Sequence, residues 1–202
     1  MTDKIFLHVN PLNVTDDRFT LSAGESHHAK HVLRLKPGHK IWLIDGKGTA
    51  YTGEIISLNG TTKGKIHQTF SGEGENPWYL HIAVAVLKKS RFEFLIEKAT
   101  ELGVNKISII RMDRCGKQVM QASRLKKIIL SAAKQCGRSV FPEIENFSSL
   151  TNFIDRSTKN FFGFVKTFPF FVAYISSICS TPSPQRTQTF LALSRAPGIQ
   201  PT

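Results

Sequence analysis

The sequence predicts a mixed α/β protein, α+β overall, in which a small β-rich domain precedes a domain of alternating strands and helices. Three observations predict it. Residues 1–70 hold short strand-like runs set apart by turn dipeptides. Residues 71–77 are polar and Gly-bearing and carry no apolar side chain, as a linker does. From Trp78 onward, apolar runs of strand length alternate with runs of helical period.

In the first domain the strand-like runs fall at 4–9, 18–22, 40–44, 49–56 and 63–70. Pro37-Gly38, Asp45-Gly46 and Asn59-Gly60 supply the turns. A small barrel-like arrangement fits this order. One short helix, about 26–34, interrupts it, with Val32, Leu33 and Leu35 as its anchors. His27, Lys30, His31 and Arg34 recur on or near one side at helical spacing, beside His28. A cationic side next to a β platform can track a phosphate backbone. The plainer alternative is structural or solvated histidines. His27 and His31 are four apart, but no nearby carboxylate or cysteine completes a metal site, so no metal is expected.

The second domain opens on a β-α-β pattern. The apolar run 80–87 reads as a buried strand. The helix that follows places Phe92, Leu95, Ile96, Ala99 and Leu102 on one face. Ser90 and Glu93 have capping-box spacing, Gly103 stops the helix, and 104–110 resumes a strand. Lys88, Lys89 and Arg91 therefore stand at a strand-to-helix turn. Open α/β sheets bind ligands at the carboxyl ends of their strands, and helix N-termini attract anions, so this is where a phosphate-bearing partner would sit. A solvated basic turn is the alternative.

Asp113-Arg114-Cys115-Gly116-Lys117 follows the strand ending at Ile110. Next comes a helix at 123–136 with Leu125, Ile128, Ile129, Ala132 and Cys136 on its apolar face. Arg124, Lys126, Lys127 and Lys134 lie on the other. Cys136 reads as core rather than as a nucleophile. Arg114 and Arg138 both sit where strand and helix ends meet, a place suited to orienting a phosphate or a base.

Composition narrows the partner. The 202 residues include 27 Lys and Arg against 15 Asp and Glu, a net charge of +12. That excess favours a polyanion, nucleic acid first. No stretch combines a basic face with a wide apolar one, and no apolar run approaches transmembrane length, so no membrane is expected. The start of the chain lacks a signal pattern. Cys115, Cys136 and Cys179 are odd in number and widely spaced, which points to the reducing cytoplasm and against a disulfide or zinc framework.

In this order, the motifs resemble the ribosomal RNA small subunit methyltransferase E family, the uridine-N3 methyltransferases of the knotted SPOUT superfamily. The resemblance covers roughly residues 5–150 and rests first on His28-x-x-His31-Val32-Leu33-Arg34, Pro37-Gly38 and Asp45-Gly46. It continues through Glu93, Lys98-Ala99-Thr100-Glu101-Leu102-Gly103-Val104 and Arg114-Cys115-Gly116. Ala132-Ala133-x-Gln135-Cys136-Gly137-Arg138 and Pro142-Glu143-Ile144 complete it. The resemblance implies a PUA-like RNA-binding domain (1–70), a linker (71–77) and a SPOUT-type methyltransferase domain (78–160). It also implies S-adenosylmethionine as methyl donor, 16S ribosomal RNA in the small subunit as substrate, and a homodimer. The expected RNA-binding residues are His28, Lys30, His31, Arg34, Lys88, Lys89, Arg91, Arg114 and Arg138. Lys98 and Glu101 also match family positions but lie on a helix surface. No residue is named as the uridine's proton acceptor.

Family members continue with a Gly-Pro-Glu-Gly-Gly loop and later a Leu-Gly-x-x-x-Leu-Arg-x-Glu-Thr-Ala segment, which wrap the cofactor. Neither occurs in this sequence, although 189–193 resembles the strand that leads into the first loop. Residues 161–202 depart in composition: Phe161-Phe162-Gly163-Phe164 and Phe168-Pro169-Phe170-Phe171 lack a clear period, and 176–188 reads as loop or disorder. The expectation is a truncated or frame-shifted tail, an incomplete knot domain and unknown cofactor-binding residues. A methyltransferase is thus the leading reading. A catalytically defective RNA-binding module is the alternative, and an unrelated basic binder of DNA or acidic protein the third.

Overall fold

The computed structural model describes residues 4–111, 121–157, 163–168, 171–176 and 187–192, with side chains as far as Arg156. The chain forms two compact units: Met1–Glu75 with Leu130–Phe141, and Asn76–Ile129 with Pro142–Thr202. The return of Leu130–Phe141 to the first unit is not visible in the order of motifs.

The first unit is a curled six-stranded sheet. Its strands are β1 (Phe6–His8), β2 (Val14–Thr15), β3 (Arg18–Thr20), β4 (Lys40–Ile44), β5 (Thr49–Ser57) and β6 (Lys63–Ser71), in the order β1-β4-β5-β6-β3-β2. β1 runs parallel to β4 and the other pairs are antiparallel. Register shifts at Thr52/Gly53 and Ile55/Ser57 bend the long β5–β6 pair. Alternation along β4 sends Ile41 and Leu43 into a core with Leu7, Val9, Phe19, Leu21, Ala29, Leu35, Ile55 and Ile66. Ile44 instead joins Ala50 and Ala133 on the other face, with Phe6, Trp42, Phe70 and Phe141 packed against them.

The short helix differs from expectation. α1 spans Ala23–His27, with the Ser22 side chain accepting from the Glu25 backbone N–H, and it widens into a π-helical turn at His28–Val32. That turn closes through Leu33 N–H to the His28 carbonyl, 3.0 Å. Widening shifts the buried side, so Ala29 (fully buried) and Leu35 anchor the segment while Val32 is 60% exposed.

The second unit is a parallel sheet of β7 (Tyr79–Ala85), β8 (Lys106–Ile110), β9 (Glu143–Phe147) and β12 (Thr187–Ala192), ordered β12-β7-β8-β9. α2 (Lys89–Glu101) crosses from β7 to β8 and buries Phe92, Ile96, Ala99 and Thr100. Three expectations for α2 are corrected. Its N-cap is Lys88, without a side-chain cap. The Ser90–Glu93 capping box does not form, because the Glu93 carboxylate receives Arg124 Nε at 3.1 Å and Nη2 at 2.8 Å. Leu102 lies past the last turn as the C-cap and is 70% exposed. Gly103 does end the helix, at φ 84°.

α3 (Ala122–Cys136) and α4 (Leu150–Ser157) complete the helices among the described residues. Leu125, Ile129, Ala132 and Ala133 take α3's buried side. Cys136, expected in the core, is exposed at the last helical position. α4 packs Phe153 edge-on against Phe147, ring centroids 5.0 Å apart. The aromatic runs near 161–171, which lacked a readable period, contribute to an antiparallel pair, β10 (Gly163–Phe168) and β11 (Phe171–Ser176). Residues 177–186, expected as loop, lie outside the described residues.

Candidate functional site

The carboxyl ends of the parallel strands shape a cavity. Pairing continues past them, with Val86 N–H donating to the Ile110 carbonyl at 3.2 Å and Arg111 N–H to that of Phe147 at 3.0 Å. Just there, Val86, Ile109, Arg111, Asn146, Phe147 and Ser148 line a cavity of about 270 Å³. Its walls are mainly apolar, and its polar groups are the Asn146 amide, the Ser148 hydroxyl and the exposed Arg111. Two residues beyond Val86 the chain enters Lys88, Lys89 and Arg91, all exposed and, among the described residues, in no ion pair. The strand order thus sets a concave, mostly apolar site at the end of β7, and the chain continues from there through this cationic run into the N-terminus of a 13-residue helix.

The first unit carries a separate cationic turn. His27, Lys30, His31 and Arg34 are exposed and His28 is half-buried. The His27 and His31 rings lie against each other, centroids 4.6 Å apart. Lys30, Arg34, Lys36 and Lys40 make no ion pair among the described residues. Arg34 adopts the left-handed conformation, φ 52°.

Arg138 belongs to neither place. The structure corrects its expected role as an RNA contact: its side chain is 1% exposed, and its Nε reaches both Glu75 carboxylate oxygens at 3.0–3.1 Å. Glu75 also accepts the Val140 N–H at 2.8 Å, so this pair fastens the segment after α3 inside the first unit. Lys98 is likewise engaged, with Glu101 at 2.8 Å and Glu97 at 3.0 Å. Arg114 and Cys115 lie outside the described residues.

Two clusters carried no signal in the sequence, because strand register and helix docking create them. His81 Nε2 and the buried Ser108 Oγ are 2.8 Å apart on one face of the parallel sheet. Beside them Lys106 pairs with Glu145 at 2.8 Å, and Glu145 with Arg156 at 2.9 Å. Burial, helped by the Lys106 charge, brings the His81 pKa down to about 4. In the first unit the buried Glu25 accepts the His8 N–H at 3.1 Å and pairs with Lys134 at 2.9 Å. Burial lowers the His8 pKa, against the pull of the Glu25 charge. Both clusters satisfy their own charges. Among the described residues no group of three His, Cys, Asp or Glu side chains is placed to hold a metal ion, and no helix is long and apolar enough to cross a membrane.

Comparison with known proteins decides the family. A model of the RNA methyltransferase domain matches residues 74–175, and one of the RNA methyltransferase PUA domain matches residues 21–63. The chain belongs to the RNA methyltransferase family, and the curated relatives it matches are ribosomal RNA small subunit methyltransferases E. The relative from Buchnera aphidicola (of Schizaphis graminum) is 28% identical over 169 residues, 78% of this chain and 64% of that protein. That from Synechocystis is 28% identical over 153 residues, 74% of this chain and 50% of that protein. The chain therefore spans between half and two thirds of these relatives. The structure of ribosomal RNA small subunit methyltransferase E from Neisseria gonorrhoeae, bound to S-adenosylmethionine, superposes with a TM-score of 0.67 at 25% identity, covering 76% of this chain and 65% of that one. A methyltransferase from Legionella pneumophila with bound S-adenosylmethionine gives 0.68 at 25% identity, covering 79% and 68%. The cationic turn falls inside the PUA match and the cavity inside the methyltransferase match.

Proposed function

We propose that this chain methylates ribosomal RNA of the small subunit, at N3 of a uridine, with S-adenosylmethionine as donor, in the cytoplasm and as a homodimer. The observation that carries the reading is the cavity at the carboxyl ends of β7, β8 and β9, lined by Arg111 and by Val86, two residues before the exposed Lys88-Lys89-x-Arg91 run, within the methyltransferase match. N3 lies on the Watson–Crick edge of uracil and bears a weakly acidic proton, so the base must be unpaired or flipped out before it reacts. Arg111 in the lining, with the cationic run that follows β7, serves that chemistry twice. It binds phosphates flanking the target, and nearby positive charge favours the deprotonated base. The buried Ile109 and Phe147 give the cavity apolar lining, while Asn146 and Ser148 offer hydrogen-bonding groups to orient a base or a nucleoside.

S-adenosylmethionine, when bound, supplies an electrophilic methyl group. The described lining bounds about 270 Å³, close to the lower end of the range for ligands of that size, near 300 Å³. The same observation favours a second reading, an RNA-binding protein that holds its substrate without modifying it.

Incubation with small subunits lacking the modification and with S-adenosylmethionine labelled on its methyl group separates the readings. The proposal expects label in 3-methyluridine after nuclease digestion and mass spectrometry. RNA retained without label supports the second reading, and label on another atom overturns the N3 assignment.

A further inference from the structure

Strand register fixes the order of the groups around the cavity. Ile109 is paired with Val84 on one side and with Asn146 on the other. One step past the strand ends the ladder still holds, through Val86 N–H to the Ile110 carbonyl and Arg111 N–H to the Phe147 carbonyl. Side chains alternate between the faces of a sheet. Val86, Arg111 and Ser148 therefore stand in one row, and Ile109 and Asn146 in the row before it, on the same face. Arg111 takes the middle of the outer row, between the apolar Val86 and the Ser148 hydroxyl and diagonal to the Asn146 amide. Neighbouring strands lie about 4.8 Å apart and successive same-face residues about 6.6 Å, a span that one flat base can bridge.

The three polar head groups differ in what they can pair with. The Asn146 amide both donates and accepts, and the Ser148 hydroxyl does either. The Arg111 guanidinium only donates. It is exposed, and among the described residues it is in no ion pair. Uracil and cytosine differ at ring position 4, where O4 accepts and N4–H₂ donates. A donor-only group at that position pairs with uracil and meets cytosine donor to donor. A site built to hydrogen-bond one base rejects the analogue that leaves its polar group unpaired. Loss of the N3 proton strengthens the same contact, because the negative charge spreads onto O2 and O4 and the hydrogen bond joins two ions. Resting on the uridine reading above, we infer that Arg111 makes this site take uracil rather than cytosine, donating to O4 of the target base while Asn146 orients the ring from the adjacent strand.

The test is an NMR titration of the full chain with uridine 5′-monophosphate and, separately, with cytidine 5′-monophosphate, read at the Asn146 side-chain amide. The two share ribose and phosphate, so any difference between them reports on the base. The wild-type chain should bind the uridine nucleotide about tenfold more tightly. Arg111→Gln, whose amide can accept from N4–H₂, should bring the two affinities within about threefold of each other. Arg111→Lys, a donor-only group again, should keep the preference. Equal weakening of both nucleotides in Arg111→Gln, with the preference intact, would make Arg111 a phosphate contact and overturn the inference. A wild-type chain without preference, or an Asn146 amide that responds to neither nucleotide, overturns it as well. None of these results touches the methylation reading, which fails separately if labelled S-adenosylmethionine leaves no 3-methyluridine.

Discussion

Arg34 and Arg138 stand at matching places, each where a helix ends in left-handed backbone, and the protein uses them in opposite ways. After α3, Gly137 takes the left-handed position and Arg138 turns inward to Glu75 with 1% of its side chain exposed. After the π-helical turn, arginine itself takes the left-handed position and its side chain stays outside, unpaired among the described residues. A guanidinium that is buried must have its charge answered within the fold. One that is exposed and unanswered is available to a partner. The same contrast separates Lys106 and Glu145 beside His81, paired and half-buried, from the charges of the His27–Arg34 turn.

The largest expected effect falls on the inward arginine. Arg138→Ala leaves the Glu75 carboxylate, only 12% exposed, without its cation and should cost about 3–5 kcal/mol of stability, read from urea unfolding. Protein that remains folded should bind RNA with an unchanged salt slope. A stability loss below 1 kcal/mol would erase the distinction between the two arginines.

The His81 cluster should make stability depend on pH. The folded pKa is about 4, and that of an unfolded histidine is about 6.5, so the unfolded chain takes up its proton first. Stability should therefore be fully present above about pH 6.5, fall as the pH drops toward 4, and level off below it. The total is roughly 3 kcal/mol. His81→Asn should flatten this segment of the pH–stability curve, and a variant as steep as wild type would place the titration elsewhere.

Smallest of all should be the effect of Lys30→Ala on the fold. Its exposed charge has no ion-pair partner among the described residues, so stability should stay within about 0.5 kcal/mol while the RNA salt slope falls by about one unit. Loss of stability without a change in slope would make this a structural turn.

How much of this was legible in the sequence follows from what each feature depends on. β4 was readable to both ends and β8 to its carboxyl end, because apolar runs bounded by turns are local signals. The cationic cluster at 88–91 was readable as the turn between a strand and a helix. The π-helical turn was not, since its widening answers to the burial of Ala29 and Leu35 in a core made by distant strands. α4 has only eight residues and a single deeply buried side chain, Phe153, too short a pattern to stand out. His81 meets Lys106 only through the β7–β8 register. Arg138 was read as a contact because its neighbours match the family motif, and the motif says nothing about which way the side chain turns. The family itself was legible, since motif order survives where burial does not show.

The most direct test of the account is a calorimetric titration of S-adenosylmethionine into the purified 202-residue chain. The account predicts saturable binding at micromolar strength or tighter. A folded chain that still holds ribosomal RNA but gives no heat with S-adenosylmethionine would contradict it, and would leave a protein that recognises its substrate without the means to methylate it.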